Sequence, residues 1–410
     1  MCIATGAPAT LEPSGNFWLD VKFVEGVREM RKWWDGPVRV LAPTAPKAVV
    51  PFGSYFDREE LEFDLHVGDP SSFQDELAGA AAVMSPLDSY DQLSIPVEAS
   101  RRGTTSIIIA EISFANQLRL TLRDAGSAFG KAKTVAWQLG MERHRRRAVR
   151  HAAGMQCNGV PSYEAYGPYN DDSICFFDTR VRAEQFATPA DMEARRGRAA
   201  RDEPLNLVFS GRFETIKGAD RLIPTFARMV RDGSRANLHL FGTGSLEAGM
   251  RRQIAAASLE GRVIMHGSVP FEDGLLPWMR ENADVFLCAH PQSDPSCTYM
   301  ETLSSGVPIV GYANAAFSGM AEAGPVGWSV PVHDDAAMAE TVRGLEGDRH
   351  ALAEMSGRVL AFARGHSFEA TMARRIRQVT DAAKRGSARE AASRSYPVQH
   401  APALAPSLGR

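Results

Sequence analysis

Short apolar runs separated by longer polar or helix-patterned segments recur along this chain, and the whole pattern then starts again. In the first half the runs are VRVLAP at 38–43, AAVMSP at 81–86, TSIIIAE at 105–111, GMQCNG at 154–159 and SICFFDTRV at 173–181. In the second half they are LNLVFSG, NLHLFG, RVIMHG, ADVFLCAH, VPIVGY and GWSVPV. Runs that are apolar throughout belong to strands covered on both faces, and helical segments between them make the sheets parallel. The restart therefore predicts two doubly wound α/β domains, 1–195 and 205–365. Between them lies a charged segment, DMEARRGRAARDEP at 191–204, which reads as a linker with its boundary at 196–204.

The first strand is expected at 1–5. It runs into a Gly/Pro-rich loop ending at Ser14-Gly15, after which Phe17, Val21, Val24 and Val27 recur at helical spacing. Near the other end Phe368, Met372, Ile376, Val379 and Ala383 share one helix face behind Ser367, an N-cap residue type. That helix is placed at 366–385, and the small, polar, proline-containing stretch 386–410 is expected to be a disordered tail.

A length of 410 residues with 44% hydrophobic content is enough for two cores. The 46 basic and 49 acidic residues nearly cancel, so no global field favours nucleic acid, and charge chemistry has to be local. Neither a basic leader nor an apolar run of spanning length is present, so a cytoplasmic, soluble chain is expected. Cys2, Cys157, Cys175, Cys288 and Cys297 lack CxxC spacing, which fits buried thiols better than disulfides or a metal site.

Two stretches stand out chemically. In FSGRFETIKGADRLI, 209–223, a strand ends at Gly211, Arg212 and Lys217 follow on the loop, and Gly218 opens a helix. Two cations beside a helix N-terminus suit a diphosphate, although solvated surface cations would read the same way. In DPSCTYMETLSSGVPIVGY, 294–312, Asp294 and Pro295 are placed as cap and first helical residue. The amides of Ser296, Cys297 and Thr298 would then face outward, with Glu301 about one turn on. A carboxylate there can accept from vicinal hydroxyls such as those of a ribose, but Thr298-x-x-Glu301 is also a capping-box pattern. ERHRRRAVRH at 142–151 is either a solvated helix or a face that meets anionic lipid.

Taken in order, GRFETIKG, FGTGSLE, RVIMHGSVP and ADVFLCAHPQSDPSCTYMETLSSGVPIVGY resemble the nucleotide-sugar half of GT-B glycosyltransferases, most closely glycosyltransferase family 4 of the retaining type. The resemblance covers about 205–365. It implies a C-terminal helix crossing back onto the N-terminal domain. It makes Arg212 and Lys217 the pair that neutralises the donor diphosphate, and Glu301 the carboxylate on the donor ribose. By the same resemblance Ser296, Cys297 and Thr298 cradle the distal phosphate, Gly267 to Val269 lie against the base, and Gly15 belongs to the N-terminal glycine loop. The family's first glutamate falls at Ser293 here, with Asp294 one residue late as a possible substitute. The histidine usual in the first half is replaced by Glu111 at the end of TSIIIAE.

The implied function is metal-free and cofactor-free transfer of a hexosyl group from a nucleoside-diphosphate sugar to a glycan or lipid-linked hydroxyl acceptor, in polysaccharide or glycolipid synthesis. Peripheral contact at an inner membrane face through 142–151 is part of that expectation, and a nucleic-acid partner is not. The alternatives are a sugar-nucleotide epimerase or phosphorylase of the same fold, and a non-catalytic sugar-nucleotide or glycan-binding subunit.

Overall fold

A computed structural model describes residues 1–50, 52–124, 127–293 and 296–395. The strands are, in chain order, β1 (Cys2–Ala4), β2 (Thr10–Leu11), β3 (Phe17–Asp20), β4 (Arg39–Pro43), β5 (Gly53–Phe56), β6 (Asp64–Gly68), β7 (Ala82–Pro86), β8 (Thr105–Ala110), β9 (Gly154–Asn158) and β10 (Ser173–Phe176). Then follow β11 (Asn206–Ser210), β12 (Asn237–Phe241), β13 (Val263–Gly267), β14 (Val285–Cys288), β15 (Ile309–Tyr312) and β16 (Gly327–Val330). The expected runs all become strands.

The first sheet has the order β10-β9-β8-β7-β1-β4-β6 and the second β13-β12-β11-β14-β15-β16. Neighbours within each are parallel. Both sheets wind outward in two directions from their first strand, so each has a switch point: β1/β7 in one, β11/β14 in the other. Ligands of such sheets sit at the C-terminal strand ends beside that point.

Each sheet has its own apolar interior. Val208, Leu240, Phe286, Leu303 and Val310 belong to the second, and Ile3, Val40, Met84 and Ile107 to the first. The final helix, Phe368–Ser395, packs Phe368, Met372, Ile376 and Val379 into the first core, so it returns to the N-terminal domain as expected. Ser367 Oγ accepts from the amide of Ala370, which fixes its start, and the helix runs ten residues beyond the expected end at 385. Residues 396–410 of the expected tail lie outside the described residues.

Two features differ from the sequence reading. Residues 191–204 are not an open linker: Pro189–Ala200 is a helix opened by a capping box between Thr188 and Asp191. Its Arg195 is buried, donating to the carbonyls of Ala283 (3.1 Å), Gly306 (2.7 Å) and Ser305 (3.0 Å). Charged composition suggested exposure, but these carbonyls satisfy the guanidinium inside the second domain. The Gly/Pro-rich loop ending at Ser14-Gly15 and the start of the helix expected after it also differ. β2, β3 and β5 form a separate three-stranded antiparallel sheet. Phe17 therefore sits on a strand, and the helix, Val21–Lys32, starts only after Asp20 caps it through the amide of Phe23.

Candidate functional site

At the second switch point the loop after β11 meets the loop after β14. Gly218, with φ 68°, is the hinge of that meeting: a Cβ there would come within 1.9 Å of the Ala289 carbonyl oxygen. Only glycine can let these two backbones approach so closely. Lys217, Gly211, His290, Ser296 and Thr298 line the small cleft that results. Arg212 is exposed at the head of the same loop.

The helix Cys297–Ser304 opens onto this cleft. Its N-cap is Ser296, whose side chain makes no capping hydrogen bond. Cys297 and Thr298 thus supply first-turn amides at a positively polarised end. Because the cap is Ser296, Thr298 and Glu301 both lie inside the helix, and the capping-box reading of that pair does not hold. Asp294 and Pro295 lie outside the described residues.

Glu301 is buried, and its Oε1 accepts from Arg180 Nε at 3.0 Å. The Arg180 guanidinium carbon stands 3.5 Å from the centroid of the Phe271 ring. Burial raises the Glu301 pKa above the usual carboxylate range, with Arg180 and Lys22 pulling against it. Lys22, at the start of the first helix, pairs with Asp178 and lies 3.7 Å from Cys297 Sγ. Burial works against the Lys22 charge, but Asp178, Cys297 and Glu301 outweigh it and its pKa rises. Burial and the neighbouring Glu301 push the Cys297 thiol up to about 12, so it is a neutral thiol here rather than a nucleophile.

The first sheet faces this cluster with acids. Asp88 follows β7 and accepts from the amide of Glu111 at 2.7 Å, while Glu111, following β8, accepts from Asn158 Nδ2 at 2.6 Å. Burial pushes Asp88 up to about 7, with the Glu111 amide opposing and the Glu111 charge adding to it. Asn158 Oδ1 in turn accepts from the amide of Asp178 at 3.3 Å. A polar chain therefore runs from Glu111 through Asn158, Asp178 and Lys22 to the helix that carries Glu301.

The remaining predicted positions divide. Gly267 closes β13 with φ 71° at the same C-terminal edge. Val269 packs against the second core, two residues before the Phe271 that underlies Arg180. Gly15 sits exposed in the β2–β3 turn with φ 91° and no neighbour within 4 Å of where a Cβ would stand. Ser293 holds loops together: its hydroxyl accepts from the amide of Ala315 at 3.1 Å and its carbonyl from Asn116 of the first domain. In the run 142–151, Arg145 is fully buried, and both it and Arg146 pair with Glu142. Arg143, His144, Arg150 and His151 stay exposed. Among the described residues no three His, Cys, Asp or Glu converge as a metal site would need, and no helix is long and apolar enough to cross a membrane.

Residues 204–348, the strands and loops of this second switch point, match the family described as Glycosyl transferases group 1. Over 149 residues the chain is 28% identical to an Escherichia coli K12 protein that bears the name putative colanic acid biosynthesis glycosyltransferase WcaL, covering 33% of this chain and 35% of that one. The matched part thus spans about a third of the relative's length. The whole structure is similar to Anabaena HepE solved with UDP, with a TM-score of 0.67 at 12% identity over 93% of this chain and 98% of that one. The lipopolysaccharide outer core galactosyltransferase WaaB in its apo form gives 0.59 at 14% over 93% and 99%. Sucrose-phosphate synthase from Thermosynechococcus elongatus gives 0.55 at 14% over 96% and 99%. The fold is GT-B.

Of the predicted positions, the cleft brings Lys217 together with Ser296 and Thr298, and Glu301 lies further along the same helix. Sequence reasoning missed Lys22, Asp178 and Arg180, of which Lys22 and Arg180 reach Cys297 and Glu301 of the second domain. Their partners lie up to 275 residues away in the chain, so no local pattern marks them.

Proposed function

We propose that the protein is a retaining glycosyltransferase that moves a hexosyl group from a nucleoside-diphosphate sugar to a hydroxyl of a glycan or lipid-linked acceptor. The observation that carries this reading is the convergence of Lys217 with the N-terminus of Cys297–Ser304 at the switch point of the segment matched by the group 1 family. An anionic diphosphate is what such a place receives best. HepE solved with UDP-glucose supports a nucleotide sugar as the donor.

In this mechanism the bond between the anomeric carbon and the diphosphate oxygen breaks, and the acceptor oxygen bonds to the same face of the sugar. The acceptor proton passes to the departing phosphate. Lys217, Arg212 and the first-turn amides stabilise the growing charge, and stabilisation of that kind usually lowers such barriers more than any other single effect. They supply what a metal ion supplies elsewhere, so the transfer is proposed to need none. Glu301, oriented by Arg180, accepts from the donor ribose hydroxyls. The setting is proposed to be cytoplasmic, in polysaccharide or glycolipid synthesis. Exposed Arg143 and Arg150, with Trp137 and Leu139 on the same helix, support a peripheral membrane contact.

The test is an NMR assay of sugar transfer with EDTA present, across UDP-, GDP- and ADP-hexoses. An α-linked product from an α-linked donor supports the reading. An inverted product would refute retention, and strict dependence on added metal would refute the metal-free step.

A further inference from the structure

The small sheet β2-β3-β5 has one face on the first core, through the buried Phe17 and Leu19, and one face turned outward. On the outward face Trp18 and Tyr55 pair across the strands, with ring centroids 4.7 Å apart at 76°. Trp18 lies against Gly53, where a Cβ would come within 2.1 Å of its Nε1, so the strand gives up a side chain to seat the indole. Lys47 stands 4.4 Å from the centre of the Tyr55 ring, donates to Tyr55 Oη at 2.6 Å and pairs with Glu12 at 3.0 Å.

Beside this cluster Phe52 is 84% exposed and held at φ 47°. A bulky side chain in that backbone region is strained, and strain of this sort gathers at ligand-holding sites. Its carbonyl accepts from the amide of Val21, the first residue of the helix whose Lys22 enters the crevice. The small sheet is thus tied by a backbone hydrogen bond to the start of the helix that carries Lys22.

We propose that this face is a docking platform for a neutral glycan, the acceptor chain of the transfer reaction; this rests on the transferase reading above. A pyranose offers an apolar C–H face that covers an aromatic ring and a rim of hydroxyls that reach charged groups beside it. Tyr55, Phe52 and Trp18 supply the rings, and Glu12 and Lys47 the acceptor and donor for the rim. Charge decides against an anionic occupant. Glu12 and Lys47 cancel, while the adjoining exposed Asp57, Glu59, Glu60 and Glu62 outnumber Arg28, Arg31 and Arg58 by four to three. At the crevice end Asp88, Glu111 and Asp178 line the first-domain side, with Lys22 paired to Asp178. An acidic polysaccharide or an anionic lipid surface would meet the net negative charge of the rim formed by Asp57, Glu59, Glu60 and Glu62.

The test measures binding of the full chain to immobilised neutral gluco-, galacto- and mannohexasaccharides, to a hyaluronan hexasaccharide and to phosphatidylglycerol vesicles. The wild type is compared with Tyr55→Ala, Phe52→Ala and the double variant, whose exposed positions leave the core untouched. The expected result is binding of at least one neutral series, and weakening by about tenfold or more in the double variant, as for a central aromatic contact. The thermal shift with UDP, GDP or ADP should be unchanged in that variant. Failure of every neutral series to bind, binding unaffected by the double variant, or preference for hyaluronan or vesicles that the variant abolishes would overturn the platform. Neutral-glycan binding without any nucleotide response would instead sink the transferase reading and leave the platform standing.

Discussion

The two sheets wind about their switch points in the same order, yet the loops they hold there are chemically opposite. β11 and β14 end in Lys217 and in a helix N-terminus without a side-chain cap. β7 and β8 end in Asp88 and Glu111, with Asp178 after β10. The topology fixes where a ligand sits in each half, and the loops fix its sign. On the proposed reading one edge receives an anion and the other receives hydroxyl groups. Arg180–Glu301 and the contact of Lys22 with Cys297 join them, while Lys22 also pairs with Asp178 within the first edge.

Breaking the anion-receiving edge should have the largest effect. Gly218→Ala forces a Cβ into the Ala289 carbonyl at a positive φ, and should cost about 3 kcal/mol or more of stability by denaturant titration. The equivalent contrast, Gly15→Ala, meets no neighbour and should cost about 1 kcal/mol, from the backbone conformation alone. Lys217→Ala should leave folding intact and lower turnover about 100-fold, the usual loss when one charge-stabilising donor is removed. Glu301→Gln should weaken nucleoside-diphosphate binding by about tenfold, as expected for charge-assisted hydrogen bonds made neutral, with little change in melting temperature.

The hydroxyl-receiving edge should show itself through pH. Asp88 has a folded pKa of about 7 against an unfolded 3.8, so the folded state holds a proton that the unfolded state has lost. Its contribution to stability therefore falls as pH rises from about 4 to about 7 and is flat above that. Asp88→Asn should remove this slope, so that the variant gains relative to wild type by about 2 kcal/mol or more between pH 4 and pH 8. A parallel pH profile for the two proteins would show that Asp88 is ordinarily hydrated, and the contrast between the edges would shrink accordingly.

Much of this was legible in the sequence for definite reasons. Strands such as TSIIIA and NLVFS are buried on both faces, the pattern of a parallel strand covered by helices on each side. Glu301 could be singled out because it follows a strand and a small loop, but its two readings were separable only once Ser296 proved to be the cap. The small sheet escaped notice because its strands are two to four residues long and Phe17 falls in register with the helix behind it. Residues 189–200 misled by composition: Ala and Arg favour a helix as much as a solvated linker, and the carbonyls that bury Arg195 come from residues 88 to 111 positions away. Pairs such as Arg180–Glu301, 121 residues apart, leave no trace in spacing.

The central claim is that the second switch point is a nucleoside-diphosphate site. Its most direct test is calorimetric titration of UDP, GDP and ADP, with EDTA present, into the wild type, Lys217→Ala and Glu301→Ala. The account predicts that one of the three nucleotides binds the wild type and that each substitution abolishes or sharply weakens that binding while the fold persists. Binding of none of them, or binding that survives both substitutions, would contradict it.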